Sequence, residues 1–239
     1  MATIDALVFW WRRQSMFWLL ALPIAGLSAG IAYVLEVDRQ FIDWRGHWGW
    51  NVLFALFYAM FLDRWIKEAL LDDAGFREEA DELRRSTIAV RFLTFAAALC
   101  LLGLATAPCP YIELNVVLCA AAATLFALLL PSLAAGKALS LDEAFVLGRP
   151  VQTPLFMLIF GAMLLSLFAG DGLAWAATLL PKKPWTAAAI AAAQRLVDCL
   201  LLAFVGYGLA HLYRQLTDWQ APEPDDHPFR GLRLRARKA

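Results

Sequence analysis

Two residues of opposite charge lie in the middle of the longest apolar run of the chain. The run extends from Trp185 to Arg214, and Gln194, Arg195 and Asp198 interrupt it. Because a helix rises about 1.5 Å per residue, Arg195 is expected ~15 Å from Trp185, near the middle of a bilayer. Asp198 follows three residues later, on the same helical face. A charge at that depth is costly, so the pair is predicted to face protein instead of lipid.

Two interpretations of this pair stay open. In the first, Arg195 and Asp198 line a path for a substrate or a proton, as intramembrane charges often do. In the second, they neutralise each other and fix the orientation of the helix, while Gln194 adds a hydrogen bond between helices. A transporter usually shows further polar sites, broken helices or a repeated half. Residues 1–107 and 108–214 show no convincing similarity, so the sequence favours the structural interpretation.

Three further polar residues are predicted at the outer ends of membrane spans. Glu113 and Asn115 open the fourth span, and Asp171 closes the fifth. One interpretation is a shallow outer vestibule lined by the three side chains. Capping of helix ends explains the same residues and is favoured.

The C-terminal tail is basic, with leucines between its charges. Attraction of anionic lipid headgroups to this tail, worth about 1 kcal/mol per residue near the surface, is a sufficient explanation. The predicted headgroup-binding residues are Arg233, Arg235, Arg237 and Lys238. No nucleic-acid recognition module accompanies them, so no nucleic-acid partner is predicted.

No motif for catalysis, cofactors or metals is present. The sequence lacks GxSxG, HExxH, P-loop, GxGxxG and CxxCH patterns. Its four cysteines and three histidines are scattered, without the spacing of a metal site or a disulfide framework. We therefore expect no cofactor and no metal, and an enzyme is the less favoured class.

Composition and hydropathy predict an all-α, polytopic transmembrane bundle. Hydrophobic residues make up 61% of the chain and charged residues 18%, against about 45–50% and 25% in soluble domains. Charges cluster between long uncharged stretches, which predict about six spans. The spans are expected near 15–35, 48–64, 88–107, 112–135, 154–169 and 185–214. The predicted organisation is an interfacial helix (1–14), a transmembrane domain (15–214) and a cytoplasmic, basic, disordered tail (215–239).

Short helices are predicted at the membrane surface. Ile4, Leu7, Val8 and Trp11 follow the i, i+3, i+4, i+7 spacing of an amphipathic helix over residues 2–13. A capping box from Ser140 to Glu143 predicts a second interfacial helix over 140–147. The second span is expected to continue as a helix into water through 65–71. Residues 171–180 are expected to form a separate interfacial turn of helix after the fifth span.

Charge and tryptophan positions predict the orientation. Of 21 Lys and Arg residues, 16 fall on the side of both termini, four fall on the opposite side, and Arg195 lies within the sixth span. This distribution predicts cytoplasmic termini. The tryptophans form two belts on the same threading, with Trp10, Trp11, Trp18, Trp65 and Trp219 at inner ends and Trp44, Trp48, Trp50, Trp175 and Trp185 at outer ends.

Two segments resemble a broad group of uncharacterised six-pass inner-membrane proteins from proteobacteria. They are residues 63–71 (DRWIKEALL), after the second span, and residues 130–145 (LPSLAAGKALSLDEAF), after the fourth. The resemblance implies a location in the bacterial cytoplasmic membrane. It supplies no activity and no functional residue.

Three hypotheses about function follow. The first is a non-enzymatic scaffold or accessory membrane subunit that binds a membrane-protein partner or a second copy of itself. It is motivated by the few intramembrane polar residues and by the small-residue surface at 187–193. The alternative is a small transporter or channel subunit that uses Arg195 and Asp198. A lipid-modifying enzyme, the third hypothesis, requires a polar cluster facing one leaflet, which the sequence does not indicate.

Overall fold

The described structure is helical throughout. The computed structural model describes residues 2–35, 48–72, 112–137 and 139–220, which form eight α-helices, one 3-10 helix and no strand. The α-helices are α1 (Ala2–Arg12), α2 (Gln14–Leu35), α3 (Trp48–Leu70), α4 (Ile112–Phe126), α5 (Leu129–Ala134), α6 (Leu141–Gly148), α7 (Gln152–Leu179) and α8 (Pro184–Thr217). The 3-10 helix, Arg149–Val151, joins α6 to α7. The all-α prediction is confirmed for these residues.

Three described segments are long and apolar enough to cross a bilayer. They are Gln14–Val34, Leu141–Leu179 and Pro184–Thr217, and Leu114–Phe126 is a shorter apolar helix. These segments indicate a membrane protein. The predicted third span, 88–107, lies outside the described residues, so the total of six spans stays a prediction.

Helix α8 lies at the centre of the described bundle, packed against α1, α2, α3, α5 and α7. Its buried face includes Cys199, Ala203, Gly206, Ala210 and Tyr213. This spacing of three or four residues makes one continuous stripe along the helix. Most of these side chains are small, which lets neighbouring helices approach closely.

Gly206 lies where α8 packs tightly against α3. A Cβ atom at this position would lie 3.3 Å from both Leu62 Cδ2 and Trp65 Cδ1 and 3.4 Å from Ile66 Cγ1. We expect Gly206→Ala to lower the free energy of unfolding by about 1–3 kcal/mol through overpacking. Thermal unfolding of the purified protein in detergent measures the change. Gly161→Ala is the matched control, because a Cβ there meets nothing within 4 Å, and it is expected to be neutral or to gain up to ~1 kcal/mol of helix propensity.

The end of α3 is packed against other helices. The helix continues past Arg64 as predicted, but Trp65, Ile66, Leu70 and Leu71 are all buried. The rings of Phe9 and Phe17 cover Trp65, with centroid distances of 5.4 and 6.0 Å. This packing differs from a solvated extension, and the position of the segment outside the bilayer stays a prediction. Its apolar residues gain burial against aromatic rings from the N-terminal helices, which the local pattern of α3 does not reveal.

Helix α7 is longer than predicted. Residues 171–180 are predicted to form a separate interfacial turn, but α7 runs without a break from Gln152 to Leu179. Gly170 and Gly172 do not end it, because a helix in lipid must satisfy its backbone groups internally. The helix stops at Leu180, which is extended (φ −97°, ψ 156°) and precedes Pro181.

The predicted fourth span is interrupted. Helix α4 ends at Phe126, and α5 begins at Leu129 after a short turn. Pro131 has no N–H to donate to the carbonyl of Ala127, four residues earlier. The N–H of Leu130 donates to that carbonyl instead, at 3.2 Å. The break therefore lies one turn before the proline.

Both segments predicted as surface helices are helical in the structure, and their location at the membrane surface stays a prediction. The four residues expected on the apolar face of α1 are exposed, namely Ile4, Leu7, Val8 and Trp11. Ala6 and Phe9, on the other side of the helix, are buried. The capping box of α6 is complete, since the Glu143 N–H donates to Ser140 Oγ at 3.2 Å and the Ser140 N–H donates to Glu143 Oε2 at 2.7 Å.

At the C-terminal end of the described chain, α8 extends three residues past the predicted boundary at 214, and Trp219 is buried.

Candidate functional site

Asp198 is the centre of a hydrogen-bonded group that joins three helices. Its Oδ1 atom accepts from Ser166 Oγ on α7 at 2.6 Å and from Gln194 Nε2 at 3.1 Å. Its Oδ2 atom accepts from the Tyr58 hydroxyl on α3 at 2.9 Å and from Arg195 Nη1 at 3.4 Å. We call these five residues the polar cluster. Three of them lie on one face of α8, because residues three and four apart are neighbours on a helix.

The Arg195 guanidinium lies over aromatic rings of α3. Its Nη1 atom donates to the Tyr58 hydroxyl at 3.0 Å, and its Cζ atom lies 4.3 Å from the centre of the Phe54 ring. The side chains of Arg195 and Asp198 are 28% and 15% exposed. The two predicted charges therefore meet each other and contact protein. A carboxylate, a hydroxyl and an aromatic face together compensate the buried cation.

The carboxylate of Asp198 has little remaining capacity to accept hydrogen bonds. An ionised carboxylate offers about four lone-pair sites, and four donors already occupy Asp198. The Gln194 amide nitrogen is within 3.4 Å of the Ser166 hydroxyl as well as 3.1 Å of Asp198. Its carbonyl oxygen is buried without a hydrogen-bond partner among the described residues. The hydrogen bonds of Asp198 to Tyr58, Ser166 and Gln194 join α3, α7 and α8.

Sequence reasoning missed the members of the cluster that lie outside α8. Tyr58 is one of these members, and it lies four residues from Phe54, the ring that contacts Arg195, on the same face of α3. This pair is a detectable signal for an aromatic site. Ser166 is the only polar side chain in the apolar stretch from 161 to 169. Neither pattern indicates by itself that these residues contact Asp198.

The predicted vestibule residues are placed differently from one another. Glu113 is the second residue of α4, and Asn115 Oδ1 accepts from Cys119 Sγ of the same helix at 3.1 Å. Asp171 is exposed and lies within α7. It does not close the fifth span, because the helix continues through it. No described contact joins Asn115 to Asp171, so the vestibule stays a hypothesis.

The predicted headgroup-binding residues Arg233, Arg235, Arg237 and Lys238 lie outside the described residues. Lipid binding by the tail therefore stays a prediction.

A second group of charges lies at the C-terminal end of α3. Lys67 Nζ is 2.8 Å from Asp63 Oδ2, and the two side chains are only 3% and 8% exposed. Glu68 lies 3.5 Å from Arg64 and 3.7 Å from Arg13, which connects α3 to the junction of α1 and α2. The sequence signal was the spacing of four residues between opposite charges. That spacing does not distinguish a buried ion pair from a solvated one.

A cavity of about 600 Å³ lies among α2, α7 and α8. Gly170 lines it from α7, Ala32 from α2 and Gln194 from α8. Because Gln194 Nε2 also donates to Asp198, the cavity ends beside the polar cluster.

Within the described ranges, no three His, Cys, Asp or Glu side chains form a group that could hold a metal ion. The expectation of no cofactor and no metal stays a prediction for the whole chain. Comparison of the chain with protein-family models, curated proteins and solved structures gave no match.

Proposed function

We propose that this chain is a non-enzymatic scaffold or accessory subunit of a membrane-protein assembly. The observation that carries the proposal is the complete pairing of Asp198 with donors from α3, α7 and α8. A carboxylate used in this way holds the bundle together and has no remaining site for a substrate. The function then lies on the outer surface of the bundle.

The proposed location is the inner membrane of a bacterium, with six spans and both termini in the cytoplasm. The distribution of Lys and Arg between the two sides supports the orientation. The resemblance of residues 63–71 and 130–145 to proteobacterial inner-membrane proteins supports the bacterial location.

The surface proposed to bind the partner is the outward face of α7. Its large apolar side chains are exposed, and they include Met157, Leu165, Phe168, Trp175 and Leu179. In a bilayer such a face contacts either lipid or another transmembrane helix. The proposal assigns it to a membrane-protein partner or a second copy of this chain.

Photo-crosslinking in native membranes tests the proposal. A photoreactive amino acid is placed at Leu165 or Phe168, which are 58% and 65% exposed. We expect a discrete heavier species that survives extraction in mild detergent. Leu155, which is 0% exposed on the same helix, is the matched control and is expected to react only within the chain. A solitary monomer that carries only lipid adducts would contradict the proposal.

The second candidate function is a small transporter or channel subunit. One observation favours it, namely the cavity that reaches Gln194 beside Asp198. On this alternative, the cavity admits a solute to the polar cluster, and removal of both charges abolishes its movement.

A further inference from the structure

The cavity among α2, α7 and α8 has walls of small side chains. Gly170, Ala174 and Ala177 line it from α7, and Ala187 and Ala191 line it from α8. Leu173 and Ile190 line it as well, and the space between the helices measures about 600 Å³. Binding sites for small molecules usually enclose about 300–1,000 Å³. The cavity is therefore large enough to hold a ligand.

Polar groups mark the two ends of this cavity. Lys182 lines one end, on the turn between α7 and α8, where Thr186 Oγ1 donates to the Pro181 carbonyl at 2.8 Å. Gln194 lines the other end and is held by its 3.1 Å hydrogen bond to Asp198. The described residues that line the cavity include no carboxylate, so Lys182 gives it a positive charge at one end only.

The depth of the cavity corresponds to one leaflet of a bilayer. From Thr186 to Gln194, α8 rises about 12 Å at 1.5 Å per residue, less than half of the about 30 Å hydrocarbon core. The cavity therefore has about the length of a lipid acyl chain, which spans one leaflet.

We infer that the cavity binds one acyl chain of an anionic phospholipid. The phosphate lies at Lys182, because an ammonium group binds phosphate as a point charge. The acyl chain follows the glycine and alanine walls and ends near Gln194. The inference does not depend on the scaffold proposal, since it concerns the purified chain and its lipid.

Native mass spectrometry of the full-length protein in detergent tests the inference. The probes are dioleoyl phosphatidylglycerol, which is anionic, and dioleoyl phosphatidylcholine, which is zwitterionic. We expect one tightly retained phosphatidylglycerol and weaker binding of phosphatidylcholine. Phosphatidylglycerol with a photoreactive group in its acyl chain is expected to label residues 170–178 and 187–194.

Two variants separate the headgroup from the chain. Lys182→Ala is expected to weaken phosphatidylglycerol binding about 5-fold, whereas Lys183→Ala, which changes the adjacent lysine outside the cavity, leaves it unchanged. Ala174→Leu fills the chain site and is expected to weaken binding more than ~10-fold. Gly172→Leu on the same helix is its control, since a Cβ at Gly172 meets nothing within 4 Å.

Three results would overturn the inference. The first is equal binding of both lipids together with an unchanged affinity in Lys182→Ala. The second is photolabelling confined to residues outside the cavity. The third is a change of oligomeric mass in Ala174→Leu without any loss of lipid, which would make the surface a protein contact. Lys182 is exposed, so Lys182→Ala is expected to unfold at the wild-type temperature. The headgroup test therefore stands even if Ala174→Leu does not fold.

Discussion

Asp198→Ala is expected to lower the free energy of unfolding by about 3 kcal/mol. The variant leaves the Arg195 guanidinium inside the bundle without its carboxylate, and breaking a buried ion pair on one side typically costs about 3–5 kcal/mol. The lower end applies because Arg195 is 28% exposed. Tyr58 and Ser166 also lose the acceptor that joins α3 and α7 to α8. Thermal or denaturant unfolding of the purified protein in detergent measures the loss.

The control for Asp198→Ala is Asp171→Ala. Asp171 is an exposed carboxylate on α7, and its removal is expected to change stability by less than about 0.5 kcal/mol. The double variant Arg195→Met with Asp198→Leu should recover part of the lost stability, since apolar replacements of a buried ion pair are often neutral or stabilising. Wild-type stability in Asp198→Ala would contradict a structural role for the polar cluster.

The same double variant distinguishes the two candidate functions. Under the scaffold proposal, it retains the crosslinked species at Leu165 and Phe168, because the outward face of α7 is unchanged. Under the transporter alternative, proteoliposomes of the wild type show a solute or proton flux that the double variant lacks. A flux of this kind would favour the alternative and remove the main support for the proposal.

Local sequence patterns predicted the features that depend on a single helix. The length and apolar character of α8 were evident from residues 185–214, and the shared face of Arg195 and Asp198 follows from their spacing. The capping box at Ser140 located α6 within one residue. In each of these cases, the interactions that determine the structure lie within about four residues of one another.

The features that depend on contacts between helices were not predictable in this way. Tyr58 and Asp198 are 140 residues apart in sequence, and no local pattern connects them. The end of α3 has a mixed composition that fits a surface helix, yet Phe9 and Phe17 bury it. The fifth span was predicted to end at residue 169, but α7 continues through Gly170 and Gly172, because the low dielectric of a bilayer makes a broken helix more costly than two internal glycines.

Lys67→Met is the second substitution expected to have a large effect, with a loss of about 3–5 kcal/mol in the free energy of unfolding. It removes the ammonium group 2.8 Å from Asp63, whose side chain is only 8% exposed. A carboxylate left without its cation at such a site carries an uncompensated desolvation penalty. Equilibrium unfolding in detergent measures the loss. Arg12→Met, which removes an exposed cation from α1, is the control and is expected to change stability by less than about 0.5 kcal/mol.

The double variant Asp63→Leu with Lys67→Met should recover most of this loss. The two charges of this ion pair lie four residues apart on α3, and the double variant removes both together, so that neither charge is left without the other. In contrast, the corresponding double variant at Arg195 and Asp198 leaves the hydroxyls of Tyr58 and Ser166 without their acceptor, and its recovery should be smaller. Equal recovery at the two sites would show that the polar cluster contributes no more to helix association than an ion pair within one helix. The structural basis for assigning Asp198 to the joining of α3, α7 and α8 would then be lost.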